Sequence, residues 1–145
     1  MAEVYIGLIE FNSEQYIESV ALRQDVLRTP LGLKFTQENM KNDANELHIA
    51  ASDGNALIGV LLLRPISEQV VKMRQVAVKS SQQGKGIGKK MVAFCEDLSR
   101  GMGYTQIELN ARKVALDFYL SLDYAQIGDM FLEIGIPHFK MIKNL

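Results

Sequence analysis

Gln82-Gln83-Gly84-Lys85-Gly86-Ile87-Gly88-Lys89-Lys90 lies between a β-branched apolar run and an amphipathic segment. Glycines let a backbone approach a ligand closely. The first turn of a helix presents N–H groups without partners and a partial positive charge, so a glycine turn opening a helix is an anion site. Lys79, Lys85, Lys89 and Lys90 bring four positive charges to residues 79–90, a stretch with no acid. A diphosphate or phosphate ester would be attracted there as well as hydrogen-bonded. A plain turn without a ligand would leave that clustering unexplained.

Three phosphate-binding patterns compete, and spacing separates them. A dinucleotide fingerprint needs a third glycine three positions after Gly86, where Lys89 stands. A Walker A loop needs glycine at Gln83 and a hydroxyl residue at Lys90, and has neither. The pattern that fits is Gln-x-x-Gly-x-Gly, as Gln83, Gly86 and Gly88.

Outward from this turn, Val70 to Val78 reads as a strand, preceded by a hairpin in which Leu47 to Ser52 and Ala56 to Arg64 flank Asp53-Gly54-Asn55. Ile87, Met91, Phe94, Cys95 and Leu98 share one helical face, predicting a helix from about Gly86 to Arg100 that Gly101 and Gly103 end. A strand from Tyr104 to Asn110 follows. A second helix from Ala111 would align Ala115, Phe118, Tyr119 and Leu122, and the tail has strand-like pieces around Tyr124 to Ile127 and His138 to Ile142. At the other end, Val4 to Phe11 reads as a strand. A helix follows, with Asn12 and Ser13 as caps and Gln15 at capping-box spacing from Asn12, and it should stop at Thr29 before Pro30. Leu33 to Glu46 reads as a loop with a short helix from Gln37 to Lys41. Together these elements predict a mixed α/β layer.

Composition bounds the function. The 145 residues carry 17 acidic and 16 basic side chains, a formal charge of -1, and 48% are apolar. One core fits this length, so residues 1–145 are expected to form a single domain. Near-neutrality argues against a disordered tail and against nucleic-acid binding through bulk charge. A lone cysteine, Cys95, allows no internal disulfide and no cysteine-rich metal framework, and we expect no metal and a cytoplasmic location. Glu3 and Glu10 interrupt the first ten residues, unlike a secretory signal, and the apolar run Ala56 to Leu63 is too short to cross a membrane.

The turn resembles the acetyl-CoA signature of the GNAT superfamily of N-acetyltransferases. The likeness runs from roughly Glu46 to Leu145 in matching order: hairpin, strand Met73 to Val78, glycine turn, helix, then Asn110-Ala111 before Phe118-Tyr119 and Leu122-Asp123-Tyr124. Leu22-Arg23, Leu27-Arg28, Pro30-Leu31-Gly32 and Gly135-Ile136-Pro137-His138 are similar to a small, poorly characterised subgroup. Asp123 stands where many relatives have glycine. The resemblance implies a mostly antiparallel central sheet flanked by helices, and transfer of an acetyl group from acetyl-CoA to the amine of a small molecule or peptide. It implies that Val76 and Val78 pair with the pantetheine arm, that Gln83, Gly84, Lys85, Gly86, Gly88 and Lys89 hold the diphosphate, and that Asn110 contacts the cofactor. It also implies that Tyr119 protonates the departing thiolate. A non-catalytic acyl-CoA sensor is the alternative, and an exposed strand edge leaves a homodimer open.

Acyl transfer also needs a neutral amine and a stabilised oxyanion. A backbone N–H around Val76 to Val78 would serve the oxyanion. His138, after Pro137 in a motif shared with the subgroup, is our choice of base, with His48, Glu38, Glu46, Glu133 or a water relay as alternatives. Tyr119 has a second reading as a core aromatic, His138 as a structural histidine and Cys95 as a buried thiol, while Arg23 reads as part of a solvated helix face and Arg112 either as that or as a contact to a CoA phosphate.

Overall fold

A computed structural model of the chain describes residues 3–36 and 40–145. Strand β1 (Val4–Ile9) leads into helix α1 (Glu14–Arg23), whose cap is Ser13 rather than Asn12: the Ser13 hydroxyl accepts the Tyr16 amide N–H at 3.1 Å. Beyond Arg23 the helix widens into a π turn, Gln24–Arg28, then tightens into a 3-10 turn, Thr29–Leu31. Helical backbone therefore continues past the expected stop at Thr29. Pro30 is accommodated because it opens a new turn, where its missing N–H has no partner to lose. Residues 37–39 of the helix expected from Gln37 to Lys41, with the candidate base Glu38 among them, lie outside those described.

Gly54 takes a left-handed φ of 61° and lets a two-residue turn join β2 (Leu47–Asp53) to β3 (Ala56–Pro65). Strand β4 (Val70–Val78), the glycine turn and helix α2 (Ile87–Gly101) follow in the expected order. Strand β5 (Gln106–Arg112) runs further than predicted. Ala111 and Arg112 pair with Phe139 and His138, so helix α3 (Leu116–Ser121) starts five residues later than the Ala111 predicted from spacing. The alternation Ile107, Leu109, Ala111 outweighs the helical spacing that also begins at Ala111, because each of these side chains enters the core. Strands β6 (Ala125–Glu133) and β7 (Ile136–Asn144) complete the chain. No helix among the described residues is long and apolar enough to cross a membrane.

The strands form one seven-stranded sheet in the order β1-β2-β3-β4-β5-β7-β6, antiparallel except for β4 beside β5. One face packs on α2, joining Ile49, Leu61, Leu63, Val71, Met73 and Leu109 to Ile87, Met91 and Cys95. The other face packs Val60, Leu62 and Ala77 against Leu22 of α1 and the π turn. Strand alternation then puts Lys72, Arg74, Asn110 and Arg112 on this second face, toward the side of the π turn.

Candidate active site

Strands β4 and β5 pair only from Val70↔Gln106 to Met73↔Leu109 and then part. The cause lies in β4. Against β3, the register passes from Leu62↔Arg74 to Val60↔Ala77, so β4 has one residue too many and bulges at Gln75, whose φ is 55°. The bulge bends β4 away and opens a cleft of about 240 Å³ between the strands. Gln75 lines it, with its side-chain oxygen buried and without a hydrogen-bond partner among the described residues. No sequence feature we read pointed to Gln75, since a bulge has no local signature comparable to a glycine turn.

The strand edge facing the gap carries the expected residues. The Lys79 amide donates to the Ile58 carbonyl at 2.8 Å, toward β3. Alternate residues of an antiparallel ladder face the same neighbour, so Ala77 follows Lys79 while Val78 turns its backbone groups toward the gap. There the Val78 carbonyl accepts the Gln83 side-chain amide at 3.0 Å. Val76, next to the bulge, lines the cleft.

The glycine turn sits just beyond this edge. Gly84 and Gly86 both have φ of 80°, and a Cβ built on either meets no atom within 4 Å. Glycine is needed there for backbone conformation, and the space around it is open. The Lys90 amide makes the first bond of α2, to the Gly86 carbonyl at 3.1 Å. The amides of residues 84–89 have no backbone acceptor among the described residues. Gly88 differs: a Cβ would lie 3.4 Å from the Phe118 ring, so it serves the contact between α2 and α3. Lys79, Lys85, Lys89 and Lys90 are all exposed around the turn. Open amides, exposed lysines and an edge of unpaired backbone fit a nucleotide diphosphate with an amide-bearing arm.

Tyr119 lines the cleft from α3, only 6% exposed and packed edge-on to Phe118 and Tyr124. Its hydroxyl has no hydrogen-bond partner among the described residues. Burial, and then the neighbouring Cys95, push its phenol well above the usual range, which keeps the proton on oxygen. Cys95 is fully buried, and burial raises its thiol too, in line with a structural role. At the next turn Asp123 has φ of 72°, the conformation a glycine would take there.

Across the cleft, His138 is buried, with Nδ1 2.9 Å from the Ile136 carbonyl and Nε2 3.2 Å from the Glu133 carboxylate. The Asn110 side-chain amide donates to the other Glu133 oxygen at 3.3 Å. Asn110, Glu133 and His138 thus form one chain on the cleft wall. Of the remaining candidates among the described residues, Arg112 lines the cleft, and His48, Glu46 and Arg23 do not. His48 is buried beneath α1, where its Nε2 is 2.7 Å from the Asp43 carbonyl. The Glu46 carboxylate is held by Arg64 and Arg74. Arg23 is no solvated residue: it is 1% exposed and bonds Asp43, equally buried, at 2.8 Å, with the Tyr16 hydroxyl donating to the same oxygen. Arg112 leaves the strand to donate to the Leu27 carbonyl at 2.8 Å, tying the sheet to the π turn.

Residues 31–145 match the Acetyltransferase (GNAT) domain family. The Bacillus subtilis protein YyaT, itself uncharacterised, is 28% identical over 98 residues, 68% of this chain and 66% of its own length. A second protein of that organism, provisionally described as an acetyltransferase, is 28% identical over 67% of this chain and 65% of its own. The chain thus spans just under two thirds of the length of these relatives. Among solved structures, a Lactobacillus plantarum protein provisionally described as an N-acetyltransferase superposes with a TM-score of 0.88 at 22% identity, over 98% of both chains. A GNAT acetyltransferase from Elizabethkingia anophelis, solved with acetyl-CoA bound, gives 0.78 at 14% identity over 98% of both. At such identities the likeness is one of fold, and with the matched domain it establishes that this chain belongs to the GNAT acetyltransferase family.

Proposed function

We propose that the protein transfers an acetyl group from acetyl-CoA to a primary amine of a small molecule or peptide, directly and without an acyl-enzyme. The parting of β4 from β5 beside an open glycine turn carries this reading, because it provides a strand edge and a diphosphate cradle in line. Val76 and Val78 would pair with the pantetheine arm through their backbone. Gln83, Gly84, Lys85, Gly86, Gly88 and Lys89 would hold the diphosphate. Binding would then require the Gln83 side chain to leave the Val78 carbonyl, exchanging one amide donor for another. Acetyl-CoA supplies an activated thioester, whose carbonyl oxygen becomes negative during transfer.

The chain's own groups answer the remaining needs. The bulge at Gln75 redirects the backbone of β4, which suits an N–H near Val76 to a developing oxyanion. Tyr119, kept protonated by burial, would give its proton to the departing sulfur. Glu133, exposed at the cleft wall, would take the proton from the amine and pass it to Nε2 of His138, 3.2 Å away, with Asn110 orienting Glu133. Cys95 is too buried, and too reluctant to ionise, to carry an acyl group.

Because both nitrogens of His138 face oxygen atoms, a second reading is a non-catalytic acyl-CoA sensor. Purified protein with acetyl-CoA and a panel of amines separates the two: acceptor-dependent release of free CoA, weakened in Tyr119→Phe, supports the enzyme. Tight CoA binding without any acceptor-dependent release would favour the sensor. Calorimetric titration with CoA, ATP and NAD tests the donor, and equal affinity for all three would refute an acyl-CoA site.

A further inference from the structure

Resting on that reading, the charge of the cleft narrows the acceptor. Arg28, Lys72, Arg74 and Arg112 line it against a single carboxylate, Glu133. Arg74 is paired with Glu46, a carboxylate it shares with Arg64. Arg28, Lys72 and Arg112 form no ion pair among the described residues. Arg28 is held in place by stacking on Phe35, 4.3 Å from the ring centre, and Arg112 by the Leu27 carbonyl. All three are partly buried, and three cations taken from water that share the single carboxylate of Glu133 are costly. Burial, followed by the like charges of Arg112 and Arg23, pulls the Arg28 guanidinium below its usual range. Burial lowers Lys72 and Arg112 too, with Glu133 opposing it in both.

These cations are separate from those of the glycine turn. Lys72 alternates with Val71 and Met73, which enter the core beside α2, so Lys72 and the π turn bearing Arg28 lie on the opposite face of the sheet. The diphosphate has its own lysines, and a cleft this small has room for little more than a small acceptor. We propose that the acceptor is a small amine bearing an oxyanion, a carboxylate or a phosphate, which Arg28, Lys72 and Arg112 hold while the amine meets His138 and Glu133. The same cations disfavour a protonated amine, helping to present the neutral nucleophile that acyl transfer requires.

The test uses matched ligands on the whole protein saturated with CoA, titrated calorimetrically. N-acetylglycine and N-acetyl-β-alanine are compared with their amides, and N-acetylethanolamine phosphate with N-acetylethanolamine. The anionic member of at least one pair is expected to bind about tenfold or more tightly than its neutral partner, the worth of one charge-assisted hydrogen bond. The acid and phosphate arms tell the two oxyanions apart. Arg28→Gln and Lys72→Gln should each remove most of that preference while leaving CoA affinity unchanged, which also reports that they fold. Equal binding of neutral and anionic members, binding of none, or a preference that survives both substitutions overturns the proposal. CoA release from acetyl-CoA with glycine against glycinamide is measured in parallel. A preference in binding without any turnover would sink the catalytic reading and leave the oxyanion site standing, whereas turnover favouring glycinamide would do the reverse.

Discussion

Replacing Gly86 with Asp tests the diphosphate cradle most directly. Gly86 caps α2 with φ 80° and ψ 10°, is exposed, and has open space where a Cβ would stand. The left-handed backbone costs a non-glycine residue about 1–2 kcal/mol. Aspartate recovers part of this as a helix cap, so the melting temperature should fall by only a few degrees. Binding should suffer far more. With an effective dielectric of about 60 for an exposed turn and a separation of about 6 Å, a carboxylate opposes each diphosphate charge by about 0.9 kcal/mol, or about 2 kcal/mol for two. The same carboxylate would occupy one of the free amides, removing about 1 kcal/mol more. The sum of about 3 kcal/mol predicts CoA binding weaker by about 100-fold, read by calorimetry. Gly86→Ala has the backbone cost without the charge and should bind CoA nearly as wild type. S-acetylpantetheine has no diphosphate and should not distinguish the variants. A folded Gly86→Asp protein whose CoA affinity lies within about twofold of wild type, less than about 0.5 kcal/mol, would refute the cradle.

Tyr119→Phe should lower kcat by about 10- to 100-fold with little change in KM for acetyl-CoA, because the hydroxyl has no structural bond to lose; an unchanged kcat would remove it as the acid. Its raised phenol also predicts that the pH profile of kcat shows no alkaline fall from Tyr119 up to about pH 10. Arg23→Ala should destabilise by about 3–5 kcal/mol in urea unfolding, since it leaves Asp43 charged and buried; a change below about 0.5 kcal/mol would fit only a solvated arginine. Burial, together with its bond to Asp43, raises Tyr16 from 10.0 to about 12. The folded state therefore holds this proton longer than the unfolded chain, so stability is full below pH 10 and declines as pH rises toward 12. Tyr16→Phe should flatten that decline in urea midpoints measured across this range.

How much was legible follows from the range of each signal. The Asp53-Gly54-Asn55 hairpin, the glycine turn and the apolar face of α2 are written within a few neighbouring residues, and each forms where the pattern places it. The start of α3 is not legible locally, because Ala111 fits both a strand and a helix period and only pairing with Phe139 of β7 decides between them. Asn12 and Ser13 are equally good caps by residue type, so geometry had to choose Ser13. Arg23 resembled a surface arginine because its partner Asp43 lies 20 positions away in a weakly patterned loop.

The same division runs through the site. The half of the site proposed to hold the diphosphate is written in the chain itself, because phosphate recognition by a helix start depends on consecutive amides, glycines and lysines that are neighbours along the chain. The half proposed to hold the acceptor exists only once the chain has folded. Arg28 comes from the π turn, Lys72 from β4, Arg112 from β5 and the Glu133–His138 pair from the last hairpin, and the bulge at Gln75 opens the space between them. Each of those cations reads alone as an ordinary solvated charge. Folding puts them into one partly buried cleft, where water screens them less and their common sign becomes the basis of the proposed acceptor preference.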